Sequence, residues 1–353
     1  MKYAQLTYGR NKCRMASAEY VNLGDYFQTF AINNIYKKLN ISNEDIQRID
    51  KAQIREYKGE TLLLPMQGWF GYIKGMDIFP MSSDIKPVFL GYHCVDRKNY
   101  RKECIENYKT FSPVGCRDQG TYCIMKKHGI NAYLTGCLTI TLPERKEVPQ
   151  KTHVFLVDAP NGIEKYMPKE LSENISYITQ EIPFISKNSS DKENERVWNI
   201  AQNLLERYKT EATLVVTSRL HCAGPCLGMG IPVILARNYF DERYAWIDKY
   251  LPLYTPKDFQ SIDWYPEKVD LSTIKPLLFE MVSNMIFDLP QTEQSMQKIH
   301  DFYMDRKRGN IFKPFYVQAY LGMHKTFPKT ADFLREIVFN KFTVATARNK
   351  SEV

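Results

Sequence analysis

The chain has 353 residues, of which 44% are hydrophobic and 25% charged, so disordered and collagen-like classes are excluded and two domains are the natural expectation. The formal net charge is +8, but Lys and Arg are spread along the chain in short runs such as Arg97-Lys98, Arg101-Lys102 and Arg306-Lys307-Arg308. No nucleic-acid signature accompanies them, so no nucleic-acid partner is expected, while a mild attraction to an anionic membrane surface fits the charge.

The eight Cys (Cys13 the first of them) form no CxxC pair, and no His/Cys/Asp cluster has ligand spacing, so no metal is expected. The opening residues lack the apolar core of a signal peptide, and no apolar run approaches the roughly 18 residues of a membrane span. Together with free thiols this predicts a cytoplasmic protein whose membrane contact is at most peripheral, at the inner face of the cell membrane.

In chain order, Lys2–Tyr8 reads as a buried strand. A helix follows from Asp25, with Phe27, Phe30, Ala31, Ile35 and Leu39 at helical spacing. The short apolar runs 62–65 and 87–91 come next. Val114–Cys116 then reads as a strand, Asp118 to His128 as a helix and Ala132–Leu134 as a strand. This alternation is that of a parallel sheet covered on both faces. The polar segment 143–152, with two Pro, reads as a linker. Beyond it the pattern restarts with strands at 153–157 and 176–182. Ser190 and Glu193 have the form of a capping box opening a long helix. Thr213–Thr217 reads as a strand, Cys222–Met229 as a short Gly-rich helix and Ile231–Ala236 as a strand. Helices are expected at 273–289, 292–308 and near 328–345. The division expected is 1–145, 150–290 and a helical extension at 291–353: two doubly wound α/β domains facing across a cleft, which puts functional residues at strand ends.

Four constellations stand at such ends. In Ser218-Arg219-Leu220-His221, an extended strand turns Arg219 and His221 to one side and Leu220 to the core. Gly224, Gly228 and Gly230 then permit a helix end to approach a ligand, so the group can receive phosphate or carboxylate. The plain alternative is that Arg219 pairs with a structural carboxylate and His221 is a buried, satisfied histidine. In Asn22-Leu23-Gly24-Asp25, followed by Gln28, Asp25 reads first as a helix cap, and alternatively as a general base or acid. Arg117 precedes Asp118 at a helix start, where it either pairs locally or supplies a second fork for an anion. Trp69, beside Phe70, Gly71 and Tyr72, is core or a platform for a sugar ring.

These motifs, with Thr135-Gly136-Cys137 and Gly228-x-Gly230-Ile231-Pro232-Val233, occur in an order that resembles the polysaccharide pyruvyl transferase family over residues 3 to about 236. The resemblance implies a fold similar to GT-B glycosyltransferases, two Rossmann-like domains with the active site between them. It implies transfer of the enolpyruvyl group of phosphoenolpyruvate onto two sugar hydroxyls, forming a ketal with release of phosphate, in bacterial surface polysaccharide (capsule or exopolysaccharide) synthesis. The acceptor side falls to the first domain, with Asn22, Gly24, Gln28 and Trp69, and the donor side to the second. Donor-binding residues by resemblance are Ser218, Arg219, Leu220 and His221, with Arg117 as a further anion site. His221 can serve as acid or neutralise the leaving phosphate, and Asp25 can deprotonate the sugar hydroxyls. No cofactor is implied beyond phosphoenolpyruvate as substrate, and the acceptor implied is a sugar or lipid-linked oligosaccharide. Two other readings stay open: a nucleotide-sugar glycosyltransferase on the same fold, and a non-catalytic sugar-binding protein.

Overall fold

The computed structural model describes residues 1–8, 20–71, 77–185 and 190–305. Cys13, Tyr72, the run Arg306–Arg308 and the helix expected near 328–345 lie outside them. Two parallel sheets organise the chain. The first takes β1 (Lys2–Thr7), β3 (Ile46–Asp50), β4 (Leu62–Trp69), β5 (Ile85–His93), β6 (Val114–Cys116) and β7 (Ala132–Leu134). Its order is β3-β1-β4-β5-β6-β7. The second takes β8 (Val154–Val157), β9 (Ile175–Ile178), β11 (Leu214–Thr217), β12 (Val233–Ala236) and β13 (Leu253–Tyr254), in the order β13-β12-β11-β8-β9. Every pairing within both sheets is parallel. The inner strands are buried on both faces, which is why they read as continuous apolar runs rather than alternating ones, whereas the edge strands β3 and β9 are partly exposed.

The expected strand 176–182 is in fact two. β9 ends at Ile178, and Asp158 Oδ2 accepts the Gln180 N–H at 3.0 Å where the chain turns. β10 (Glu181–Pro183) then pairs antiparallel with β2 (Tyr20–Asn22). This small ribbon ties the start of α1 (Leu23–Lys38) to the second sheet, helped by Leu23 N–H donating to Gln180 O at 2.8 Å.

Helix α1 buries Tyr26, Phe27, Phe30, Ala31, Ile32, Ile35 and Tyr36, positions that run around its whole circumference. A helix apolar all round sits inside the molecule. It packs against β1 and β4 on one side, and on the other against α5 (Ser190–Glu211) and α6 (Leu220–Gly228). One continuous buried cluster accordingly runs from Leu63 and Phe89 in the first sheet, through α1, to Phe155, Val215 and Leu235 in the second. A smaller cluster, with Leu156, Val216, Ile234 and Trp264, covers the second sheet's outer face.

Gly224 and Gly228, four residues apart on α6, face Thr139 in the turn after β7. A Cβ at Gly228 would stand 2.8 Å from the Thr139 carbonyl oxygen, and one at Gly224 would collide with the Thr139 hydroxyl. These glycines therefore admit protein rather than a ligand, and Gly230, at φ +68, closes the turn after the helix. Of the remaining helices, α2 (Lys102–Thr110) and α3 (Gln119–Lys127) flank the first sheet and α4 (Lys169–Ser172) is one turn in the second. The pair α7 (Ile274–Phe287) and α8 (Thr292–Met304) returns to β5 and β7. The second of these ends at Met304, short of the expected 308. Among the described residues no helix is long and apolar enough to cross a membrane.

Candidate active site

The carboxyl end of β6, the first turn of α1 and the first turn of α6 meet at one point. Arg117 follows β6, its N–H held by Tyr92 O at 2.9 Å. Its guanidinium is 1% exposed and touches His221, with Nη1 3.2 Å from Nε2. His221 is 11% exposed, and its Nδ1 faces Asp25 Oδ1 at 3.7 Å. Asp25 is a quarter exposed. The three residues thus form a line from the interior to the surface.

Local sequence explains how Asp25 comes to face a histidine. Asn22, not Asp25, is the N-cap of α1, accepting the Gly24 N–H at 3.1 Å. This corrects the expectation that Asp25 caps the helix, and it leaves the Asp25 carboxylate in the first turn. Gly24 is required by contact, since a Cβ there would lie 2.8 Å from His221 Cβ and 3.0 Å from Gln180 Oε1. Gln28 Nε2 stands 3.5 Å from Asp25 Oδ1, and the Gln28 side chain lies against Gly68, one residue before Trp69.

Charge states follow from these neighbours. Burial alone would lower the pKa of His221, but Asp25 and the Cys137 thiol outweigh it and hold the imidazole above its usual value, with Arg117 opposing them. Burial would raise the Cys137 thiol, but His221 and Arg117 bring it below its usual range. Burial pulls the Arg117 guanidinium below its ordinary value, partly offset by Asp118, and an arginine remains cationic throughout. Among the described residues the fully buried Arg117 Nε has no hydrogen-bond partner, with Asp118 Oδ2 standing 3.9 Å away. Such an orphaned charged donor is costly unless an acceptor arrives.

Arg219 and His221 do not share one face, because β11 ends at Thr217 and the extended alternation stops there. Arg219 is the N-cap residue of α6. Its Nε donates to Asp158 Oδ2 at 2.9 Å and its Nη2 to Glu181 Oε1 at 2.8 Å. The carboxylate-paired reading of Arg219 is the observed one. Ser218 Oγ donates to Asp158 O at 2.6 Å, so it supports the loop. Leu220 is buried, as expected. Phe70 is core and stacks on Tyr92, whereas Trp69 is 39% exposed at the end of β4, with Lys51 Nζ 5.1 Å from its ring centroid.

Sequence reasoning missed His93, Asp158 and Glu181. His93 ends β5, where Nδ1 lies 2.6 Å from Asp118 Oδ2, both residues being buried. A histidine closing an otherwise apolar strand was the available signal. Asp158 and Glu181 carried none, since each is an ordinary loop or edge carboxylate. Among the described residues no group of three His, Cys, Asp or Glu side chains is placed to hold a metal ion.

A family model described as polysaccharide pyruvyl transferase matches residues 22–239, more than half of the chain. Among curated proteins nothing matches it. The matched span contains Asp25, Arg117, Cys137, Arg219 and His221.

Proposed function

The chain belongs to the polysaccharide pyruvyl transferase family, and from that premise we propose that it moves the enolpyruvyl group of phosphoenolpyruvate onto two hydroxyls of one sugar. The observation that carries this is the buried Arg117, whose Nε has no hydrogen-bond partner among the described residues, lying against a histidine that in turn faces a surface carboxylate. Phosphoenolpyruvate has a phosphate and a carboxylate, and a guanidinium fork suits either.

The two sheets, with their carboxyl ends meeting at this point, fit the GT-B-like plan of two facing Rossmann-like domains. In that division residues 1–145 take the acceptor and lend Arg117 to the donor held against 150–290, with 291–353 as an extension. Arg117 is the principal anchor for the donor. Arg219 is the second, reached when the donor replaces Glu181, a half-exposed partner whose pairing contributes little. Entry of the anion draws Arg117 Nη1 away from His221 Nε2 and adds negative charge nearby. Both effects favour imidazolium, the form an acid needs.

The chemistry then balances. His221 delivers a proton to the methylene carbon of the donor, and the resulting cation at C2 is attacked by a sugar hydroxyl whose proton passes to Asp25. Cleavage of the C2–O bond releases phosphate, which takes the proton held by Asp25, and the second hydroxyl adds at C2 and gives its proton to His221, restoring both residues. Alternatively His221 neutralises the departing phosphate. Trp69, Gln28 and Asn22 border the acceptor. The acceptor proposed is a sugar carried on a lipid-linked intermediate of surface polysaccharide synthesis. It would be reached from the cytoplasm by a basic protein resting on the anionic membrane face. No cofactor beyond the donor enters this scheme.

The test is incubation with phosphoenolpyruvate and a panel of sugars and lipid-linked oligosaccharides, following phosphate release and the ketal methyl group by NMR. Acceptor-dependent release with a new ketal is the expected result. Turnover of a nucleotide sugar, or glycan binding with no turnover of any donor, would overturn the proposal.

A further inference from the structure

Arg117 has an acidic neighbour in sequence, Asp118, and an exposed loop would let the two pair. Here they do not hydrogen-bond, since Asp118 Oδ2 stops 3.9 Å from Arg117 Nε. The Asp118 carboxylate is engaged elsewhere on both oxygens. Oδ1 accepts the Thr121 N–H at 3.0 Å, as the N-cap of α3, and the Thr121 hydroxyl at 3.2 Å. Oδ2 lies 2.6 Å from His93 Nδ1. Burial by itself would raise the Asp118 carboxyl, but His93 and Arg117 hold it below its usual range, as a carboxylate. Asp118 is 0% exposed and His93 1%, so no water competes for these contacts.

We infer that His93 is a positioning residue which, by occupying Asp118 Oδ2, keeps the Arg117 guanidinium available to an anionic donor. The two carboxylate oxygens turn together about the Cβ–Cγ bond, so the Thr121 contacts on Oδ1 and the His93 contact on Oδ2 jointly set that rotation. Without a donor at His93 Nδ1, the nearest cation for Oδ2 is Arg117, across a gap that a small rotation closes. A charge-assisted hydrogen bond inside the protein would then occupy the Nε that the substrate needs. Nδ1 of His93 also lies 3.3 Å from the Thr121 hydroxyl, itself a partner of Asp118, and among the described residues no hydrogen bond joins His93 to His221 or Asp25.

This inference rests on Arg117 binding the donor, and a double variant separates the two claims. Phosphoenolpyruvate is titrated by calorimetry into the wild type, His93→Leu, Asp118→Asn and His93→Leu/Asp118→Asn, each checked for folding by thermal unfolding. The expected result is tight binding to wild type and a loss of about tenfold or more in His93→Leu, the scale of one hydrogen bond to a charged group. The double variant is expected to recover most of that loss, because the amide introduced by Asp118→Asn still caps α3 but cannot form an ion pair with Arg117. No binding by wild type would remove the donor reading and this inference together. Undiminished binding by His93→Leu, or a loss that the double variant does not recover, would overturn the role of His93 and leave the donor reading standing. Should His93→Leu not fold, His93→Asn supplies the test. Its amide nitrogen takes the place of Nδ1 and can donate to Asp118, so its affinity is expected within about threefold of wild type, and a tenfold loss in the folded variant would overturn the inference.

Discussion

Arg117 and Arg219 stand at matching places, each just beyond the carboxyl end of a parallel strand and just before a helix, yet their surroundings differ. Arg117 is buried beside a carboxylate already engaged by His93 and Thr121, and its Nε has no hydrogen-bond partner among the described residues. Arg219, 29% exposed, gives Nε and Nη2 to Asp158 and Glu181. From residue type alone Arg219, inside Ser-Arg-Leu-His, looked the better anion receptor. The structure teaches that availability is set by the spare acceptors around a guanidinium. The same side chain braces a loop in one sheet and is the proposed donor anchor in the other.

The largest effect expected from this contrast is at Arg117 and His221. Arg117→Leu and His221→Ala should each lower kcat/KM by about a hundredfold or more, near 3 kcal/mol of transition-state stabilisation. Steady-state kinetics with the donor varied checks this. If Arg219→Leu proves more damaging than Arg117→Leu, the ranking of the two arginines is wrong.

Much of the fold was legible before any coordinates. The apolar runs at 62–65, 87–91, 114–116, 132–134, 153–157 and 231–236 each hold a strand, the last two only from Val154 and Val233, because a parallel strand buried on both faces must be apolar throughout. The site was legible only in part. Asp25, Arg117 and His221 announced themselves by chemical type at element ends, and they do converge. The split of 176–182 into β9 and β10 was hidden, since the turn is made by Asp158, eighteen positions or more upstream of the strand it breaks. The cap of α1 was misassigned for a local reason: Asn22 and Asp25 both suit the position, and only the backbone decides between them. Arg219's partners were illegible because ion pairing between Asp158, Glu181 and Arg219 depends on sheet topology.

A middle-sized effect should come from Asp25. Asp25→Asn removes the carboxylate that helps raise His221, so activity should fall about tenfold or more and the pH profile should move. The sign follows from the direction of the shift: in the proposed scheme the acid form of His221 is the active one, and a raised pKa carries activity to pH values above the ordinary histidine midpoint of about 6.5. The rate should decline as pH rises through that raised value, and in Asp25→Asn the decline should begin at lower pH. An unchanged descending limb in the profile of kcat would remove His221 as the acid.

A smaller effect, on stability rather than turnover, is expected where α6 meets Thr139. Gly228→Ala places a methyl 2.8 Å from a backbone carbonyl. It should destabilise the fold by about 1–3 kcal/mol, as overpacking does, and thermal unfolding would show it. The smallest effect belongs to Glu181, which is 47% exposed. Glu181→Gln should change donor KM by no more than about threefold, and downward, because releasing Arg219 from a weak surface pair favours the anion.

Most direct of all is a titration of phosphoenolpyruvate into the wild type and Arg117→Leu, read by thermal stability. Ligand at 100 times its dissociation constant should stabilise the wild type by about 2.7 kcal/mol. The account predicts that this stabilisation is saturable, vanishes in Arg117→Leu and persists in Glu181→Gln. Equal stabilisation of Arg117→Leu, or a wild type that ignores phosphoenolpyruvate and responds to a nucleotide sugar, would contradict it.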